Sequence, residues 1–380
     1  MAIFGFSFAF PFLSIFLNKN LGVHPGQELD LWTAASASAS GLAMAVASPI
    51  WGVLGDRFGR KPMLLRSMLG GAITVGLIFF AQNPAELVVL RLLQGATSGT
   101  VAAATSLVAA ETPRSRVGWA LGVVTSAVAL GGAIGPVVGG LAAEVIGLRL
   151  VFLFGGVLLL ASLLPVVLIV RESPRVRVSG PRLSTLAMID RQPGLKRQLA
   201  VLIGAQGLIN LCTSATQQLV VLRLLLMVST GVSAVSGIGF GLAGLASSIS
   251  AVGYTRVTRR IGYVRTAAVA AGLVAVAVAL IGVAPWPALV VLGVGLNGLF
   301  SGVVIPATAS MIGLDTPHDA QSTVFGLNAS SVAFGFFLGP IIAGTVAAAT
   351  SAVPPALFVV AALALLLSAM LGTWAREPTR

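Results

Sequence analysis

The sequence predicts an all-α integral membrane protein of twelve transmembrane helices, arranged as two pseudo-symmetric halves of six. Three observations predict this fold. The 380-residue chain is 57% hydrophobic and 9% charged, with a mean hydropathy of +1.00, which is outside the range of ordinary soluble domains. Its apolar runs are continuous and close to the length of a membrane-spanning helix, which favours helices over short alternating strands. Parts of the first half also recur in the second.

The hydropathy pattern defines the spans. It places them near residues 1–17, 31–54, 65–82, 87–110, 119–141, 149–170, 199–221, 232–252, 264–284, 288–312, 323–346 and 354–374. The first begins at Met1 and is close to the shortest span that a bilayer accepts. It lacks the basic start of a signal peptide, so we expect a truncated or misassigned N-terminus.

A central polar segment divides the chain. Residues 171–198 hold three prolines and seven basic residues, and six spans lie on either side. We therefore expect an N-terminal half at 1–170, a cytoplasmic loop at 171–198 and a C-terminal half at 199–380.

The two halves repeat each other. Ala-Glu-Thr-Pro at 110–113 recurs as Leu-Asp-Thr-Pro at 314–317, and Ile-Gly-Pro at 134–136 recurs as Leu-Gly-Pro at 338–340. Both pairs are 204 residues apart. Parallel six-span repeats are typical of transporters that open alternately to the two sides of a membrane.

The net charge of +12 is distributed asymmetrically. With alternating spans, nearly all basic residues fall on one side, and the other side holds only Lys19, Arg149 and Arg223. The positive-inside rule then places both termini in the cytoplasm. Because the spans are helical and lack the pattern of outer-membrane strands, we expect the protein in the cell inner membrane. A basic surface that faces anionic lipids accounts for the charge without nucleic acid as a partner.

The loop after the second span combines glycines with charge. Its residues are Gly52, Asp56, Arg57, Gly59, Arg60 and Lys61. We expect Asp56, Arg60 and Arg116 to form a latch at the cytoplasmic mouth that stabilises the outward-facing state. The alternative is a solvated loop that only sets membrane topology.

Arg91 is the only basic residue that we place inside a span rather than in a loop or at the very start of a span. Its insertion costs about 2.5 to 3.5 kcal/mol, so a functional role competes with simple snorkelling towards the headgroups. By contrast, all eleven acidic residues fall in loops or at span ends, and none marks a proton site at the midplane.

The substrate cavity is expected at the midplane, between spans one, four, seven and ten. Its candidate residues are aromatic, amide and hydroxyl side chains, which suit a neutral or amphipathic solute. They are Phe8, Phe12, Gln94, Ser98, Asn210, Thr213, Gln217, Gln218 and Asn297. The sequence has no phosphate-binding loop, metal-ligand cluster or catalytic set, so we expect no cofactor, no metal and no enzymatic activity.

Three motifs resemble those of the major facilitator superfamily. They are the loop at 52–61, the Arg91-x-x-Gln94-Gly95 sequence, and a glycine-rich span with Gly131, Gly135, Pro136, Gly139 and Gly140. The third is similar to the motif of the drug:proton antiporter branch. Shorter matches, such as Ser48-Pro49-x-Trp51, resemble bacterial multidrug exporters of the MdtG kind.

The resemblance implies a monomeric secondary transporter that exports small amphipathic compounds in exchange for protons, by alternating access. It implies that Arg91 couples proton movement to the change of shape, and that the glycine-proline motif favours export. The alternatives are a small-metabolite or sugar permease of the same superfamily and a membrane sensor that transports nothing.

Overall fold

The computed structural model describes residues 2–113, 116–170, 172, 194–316 and 321–378. All regular elements in these ranges are helices. The first six spans are Ala2–Ala9 with a 3₁₀ turn Phe10–Phe12 and Leu13–Lys19 (span 1), Gln27–Phe58 (span 2), Arg60–Leu77 with a 3₁₀ turn Ile78–Phe80 (span 3), Pro84–Thr97 with Thr100–Glu111 (span 4), Val117–Ile146 (span 5) and Leu148–Leu168 (span 6). The other six are Leu195–Met227 (span 7), Val232–Ile261 (span 8), Tyr263–Val283 (span 9), Pro287–Asp315 (span 10), Gln321–Thr350 (span 11) and Val353–Trp374 (span 12).

The predicted all-α membrane fold is confirmed, and each predicted span overlaps one observed span. Among the described residues, ten helices are long and apolar enough to cross a membrane, and these are spans 3 to 12. Span 1 is divided into short helices at Pro11, while span 2 is a 32-residue helix that carries two acidic residues in its first turn. Span 7 begins at Leu195, so the end of the predicted central loop is helical; residues 173–193 of that loop lie outside the described ranges.

The alternation of spans defines two sides of the membrane. We call the side that carries the loops after spans 2, 4, 6, 8 and 10 the basic side, because most of the arginines and lysines lie there. The loops after spans 1, 3, 5, 7, 9 and 11 lie on the opposite side.

Two helix pairs join the halves. Span 2 packs against span 11, and span 5 packs against span 8. In the first half, span 5 also packs on span 1, and in the second half span 11 packs on span 7. Spans 5 and 11 therefore occupy equivalent places in the two repeats.

Glycines bring these helices into backbone contact. An ideal Cβ built on Gly135 would lie 2.7 Å from Ser7 Cβ, and one on Gly139 would overlap the Phe8 carbonyl oxygen. In the second half, a Cβ on Gly339 would lie 2.6 Å from the Leu211 carbonyl oxygen. Small residues allow such close approach in lipid, where no hydrophobic effect drives helices together.

The halves meet at two seams, one between spans 2 and 11 and one between spans 5 and 8. Both seams are closed towards the opposite side of the membrane, away from the basic side. A Cβ on Gly41 would lie 2.7 Å from the Phe337 backbone nitrogen, and one on Gly244 would lie 2.8 Å from Ala133 Cα. Nearer the opposite side, Gly344 contacts Asp30, and a Cβ on Gly140 would overlap the Ser233 carbonyl oxygen.

The same helices separate towards the basic side. Residues 123–130 of span 5, 245–257 of span 8 and 325–330 of span 11 include no buried residue. A Cβ built on Gly253 of span 8 or on Gly326 of span 11 would meet nothing within 4 Å, so the close contacts between the halves do not continue to these ends. The space between the halves therefore opens to the basic side.

The glycine contacts predict opposite outcomes for two substitutions in span 5. Gly139→Ala should destabilise the protein by about 1 to 3 kcal/mol, because the added methyl meets backbone that cannot move aside. Gly132→Ala should leave thermal stability unchanged or slightly higher, because a Cβ there meets nothing within 4 Å. Thermal unfolding of the two variants in detergent, followed by size-exclusion fluorescence, checks this. Equal melting temperatures would contradict the packing described.

Candidate functional site

A cavity of about 350 Å³ lies between the halves. Spans 1, 5, 7, 8 and 10 line it, and its walls are aromatic, aliphatic, amide and hydroxyl groups. None of the residues that line it is charged. The polar ones are Ser7, Thr213, Thr216, Gln217, Ser247, Asn297 and Ser301.

The structure brings three of the predicted cavity residues to this space. Thr213 and Gln217 of span 7 and Asn297 of span 10 line the cavity. Ser301 Oγ donates to Asn297 Oδ1 at 2.9 Å, so these two polar groups form one hydrogen-bonded pair at the wall.

Span 1 presents a different face from the one predicted. Phe6 and Phe10 line the cavity, whereas Phe8 and Phe12 are buried within the bundle. Phenylalanines occupy every second position from 4 to 12, so in a helix they form two groups on opposite sides, Phe4, Phe8 and Phe12 on one and Phe6 and Phe10 on the other. The sequence therefore could not indicate which rings face the cavity.

Four predicted cavity residues lie elsewhere. Gln94 is buried beside Arg91, and Ser98 lies where span 4 breaks. Asn210 Nδ2 donates to the Gln206 carbonyl oxygen one turn earlier, and Gln218 is buried against span 11. Span 4 does not line the cavity because Gly95 brings it into backbone contact with span 2 at Ser40.

Arg91 points into the first half rather than towards the headgroups. Its guanidinium donates to Gln94 Oε1 at 2.5 Å, to Ser40 Oγ at 2.7 Å and to the Ser36 carbonyl oxygen at 3.2 Å. It also lies 4.4 Å from the centre of the Phe10 ring, and Phe10 lines the cavity. In the part of the chain that the structure describes, no carboxylate bonds to it. Arg91 thus joins spans 1, 2 and 4 behind the cavity wall.

Span 4 is interrupted at its centre, and a second arginine lies there. Helical geometry ends at Thr97, Ser98 is extended, and Gly99 has a left-handed backbone with φ of 116°. Trp51 Nε1 donates to the Ala96 carbonyl oxygen at 2.6 Å, and Arg66 Nη2 donates to the Ser98 carbonyl oxygen at 3.0 Å. These donors replace helical hydrogen bonds that the break removes.

The prediction that Arg91 is the only basic residue inside a span is therefore wrong. Arg66 lies within the helix Arg60–Leu77, with its guanidinium 3.6 Å from the Trp51 ring centre. Arg66 is the second residue of the predicted span 65–82, and its proximity to Arg60 and Lys61 groups it with the adjoining charged loop. Its acceptor at Ser98 is distant in sequence.

The charged loop after span 2 is held by the first half. Arg60 Nη1 donates to the Ser106 carbonyl oxygen at 2.5 Å, and Lys61 Nζ donates to the Val167 carbonyl oxygen at 3.1 Å. Arg116 is exposed at the start of span 5. The side chains of Asp56 and Arg57, and the surroundings of Gly52, lie outside what the structure describes.

Sequence reasoning missed two carboxylates that cap helices at equivalent places. Glu172 accepts hydrogen bonds from the backbone nitrogens of Arg60 at 2.7 Å and Lys61 at 3.0 Å, at the start of span 3. Glu377 accepts from Tyr263 and Val264, both at 2.9 Å, at the start of span 9. The signal was present, because Arg-Glu occurs at 171–172 and again at 376–377, close to the repeat spacing.

A glycine precedes each capped helix. Gly59 and Gly262 have φ of 118° and 89°, which side-chain-bearing residues rarely adopt. A Cβ on Gly59 would also lie 2.9 Å from Glu172 Oε2. The glycine at each turn thus leaves room for the carboxylate that neutralises the helix N-terminus.

The two capping carboxylates, Glu172 and Glu377, should contribute equally to the stability of the protein. Glu172→Gln and Glu377→Gln should each lower the stability by about 0.5 to 2 kcal/mol, since an amide is a weaker acceptor at a positive helix end. Thermal unfolding should show additive effects in the double variant, because the caps are in different halves. Glu28→Gln is the control, since Glu28 is exposed. A loss confined to one half would contradict the symmetry.

Replacement of Arg91 by lysine should destabilise the protein. Arg91→Lys leaves one ammonium for three acceptors on two helices, so we expect a loss of about 1 to 3 kcal/mol of stability. Arg149→Lys is the matched control, because Arg149 is held by a bond to one acceptor, the Phe79 carbonyl oxygen at 2.7 Å. Equal thermal stability of the two variants would show that the fork geometry of Arg91 is unimportant.

Comparisons with known proteins place this architecture in a family. The sequence model of the Major Facilitator Superfamily matches residues 1–295 and 207–380, which together cover the chain. The chain belongs to the major facilitator superfamily, a family of multi-pass membrane transporters.

Among similar proteins, multidrug resistance protein MdtG of Proteus mirabilis is 35% identical over 68% of this chain and 64% of its own length. MdtG of Serratia proteamaculans is 31% identical over 99% of this chain and 91% of its own length. A bacterial homologue of the human lysosomal transporter Spinster, solved in an inward-facing and occupied conformation, has the same fold. Its TM-score is 0.78, at 13% identity over 97% of this chain and 93% of that one.

Proposed function

We propose that the protein exports small amphipathic compounds across the cell inner membrane in exchange for protons, by alternating access. The observation that carries the proposal is the uncharged cavity between two repeats that are in contact on one side and apart on the other. The relatives named as multidrug resistance proteins support it. We propose a transporter without enzymatic activity, acting as a monomer.

The chemistry of the cavity supports the substrate class. Phe6, Phe10 and Phe240 offer broad apolar surfaces, and Gln217 and Asn297 offer a few hydrogen bonds. A volume of about 350 Å³ lies within the range of small-molecule pockets. Apolar surface with few directional groups accepts many related compounds, as a multidrug exporter requires.

The charge distribution supports an orientation. The positive-inside rule assigns the basic side to the cytoplasm, which puts both termini there. The cavity then opens to the cytoplasm, the state in which an exporter takes up its substrate. The basic loops face anionic lipid, so nucleic acid is not a partner in this proposal.

Two parts of the first half would serve the cycle. Arg91 is the coupling candidate, because its hydrogen bonds join span 4 to span 2, and span 2 packs against the second half. Its guanidinium also contacts the ring of Phe10, which lines the cavity. Asp56, Arg60 and Arg116 would form the latch when the cytoplasmic mouth closes. In the open state Arg60 bonds to Ser106 and Arg116 is exposed, as a released latch requires.

Dye transport in inverted membrane vesicles tests the function. With an acidic interior, vesicles that contain the protein should accumulate an amphipathic dye, and a protonophore should abolish the uptake. Uptake that persists with the protonophore would contradict proton exchange. Transport of a sugar or small metabolite with no effect on any dye would favour a permease.

The cavity wall should set substrate preference. Gln217→Ala and Asn297→Ala should each change the concentration for half-maximal export by about two- to tenfold for compounds with hydrogen-bonding groups, because each removes about one neutral hydrogen bond. Asn210→Ala is the control, since this amide bonds within its own helix. Transport by equal amounts of each variant is measured over a dye panel. A panel unchanged by both cavity substitutions would place the substrate elsewhere.

A further inference from the structure

A carboxylate is buried in the closed seam on the opposite side. Asp30 lies in the first turn of span 2 and is 6% exposed. A Cβ built on Gly344 of span 11 would lie 2.8 Å from the Asp30 carbonyl oxygen and would overlap Ala34. The start of span 2 therefore packs against span 11 of the second half, at the closed mouth on the opposite side of the membrane.

The polar groups around Asp30 are not satisfied. Among the residues that the structure describes, no donor bonds to the Asp30 carboxylate. Gln218 of span 7 is 7% exposed, its Nε2 lies 3.3 Å from the same Cβ position on Gly344, and neither of its amide atoms has a partner. Thr33, one turn after Asp30, is 2% exposed and its hydroxyl also lacks a partner.

The charged groups on the neighbouring elements are engaged elsewhere or exposed. Span 11 contains no titratable residue. Arg91 is bonded to Ser36, Ser40 and Gln94, and Arg223 donates to the Ala284 carbonyl oxygen. Arg149 is half-buried and donates to the Phe79 carbonyl oxygen. The other titratable groups near this end of the first half are exposed: Lys19, His24, Glu28, Glu86 and Glu144.

The equivalent seam between spans 5 and 8 also holds a carboxylate, Glu144, which is exposed. There Gly140 contacts Ser233, as Gly344 contacts Asp30. Glu144 accepts a hydrogen bond from the Ser233 backbone nitrogen at 3.1 Å, at the start of span 8. Lys19 lines the same small pocket. Glu144 therefore has a donor and a nearby cation, and among the described residues Asp30 has neither.

We propose that Asp30 is a proton-binding site that controls the mouth on the opposite side. Burial without a donor or a cation disfavours the ionised carboxylate, so the closed seam requires the neutral acid. The neutral acid supplies an O–H that Gln218 Oε1 or Thr33 Oγ1 can accept. When the mouth opens, water solvates the carboxylate, and the proton passes to that water; closure takes one proton back. Low pH on this side therefore closes the mouth and high pH opens it, whatever solute the cavity carries.

A distance measurement tests this without substrate. His24→Cys and Ala349→Cys, in a Cys212→Ser background, place spin labels at exposed positions on the two sides of this mouth. Their separation is measured by pulsed electron spin resonance in lipid nanodiscs between about pH 4 and about pH 8, a range that begins near the ordinary pKa of a solvated aspartate. The ratio of open to closed protein should fall by up to about tenfold per pH unit as pH decreases, as one linked proton allows.

Two variants and one control give the proposal its sharpest test. Asp30→Asn should stay closed over the whole range, because the amide imitates the neutral acid. Gln218→Lys should stay closed at high pH, because the ammonium pairs with the ionised carboxylate. Glu28→Gln should respond as the unmodified protein does, and thermal unfolding verifies that each variant is folded. A pH response of Asp30→Asn equal to that of the parent, or a parent distance independent of pH, would overturn the proposal. Neither result depends on whether dye is exported.

Discussion

Contact between helix backbones at glycine is the constraint on which this structure depends. Spans 5 and 11 each contact two neighbours so closely that a methyl group at certain positions would meet backbone atoms. Gly135 and Gly139 fit span 5 to span 1, and Gly339 fits span 11 to span 7. Because a lipid environment gives helices no hydrophobic reason to associate, this close fit supplies the dispersion contacts that hold each half together.

The same two spans also form the seams between the halves. Gly140 and Gly344 occupy equivalent positions in the repeats and contact the first turns of spans 8 and 2. Closure on the opposite side and separation on the basic side follow from these contacts. An uncharged cavity results where the separating helices leave space, and its lining combines apolar surface with seven polar residues.

Much of the fold could be predicted from the sequence, because hydropathy and internal repetition are local signals. All twelve spans, their approximate ends and the equivalence of spans 5 and 11 were accessible in this way. The choice of helix face was not, as Phe6 and Phe10 show, because alternate phenylalanines place aromatic rings on two opposite sides of the helix. Arg66 was misplaced because its acceptor is created by a break in another span. The buried state of Asp30 depends on a glycine more than three hundred residues away, and no local pattern records it.

Alternating access requires that the mouth on one side of the membrane opens when the mouth on the other side closes. Spin labels at Val123→Cys and Val252→Cys report on the basic side, where both positions are exposed, and labels at His24→Cys and Ala349→Cys report on the other. Both distances are measured on matched samples while pH and an exported dye are varied. Every condition that lengthens one distance should shorten the other. Distances that lengthen together, or a basic-side distance that never changes while dye is transported, would contradict the alternating closure of these seams.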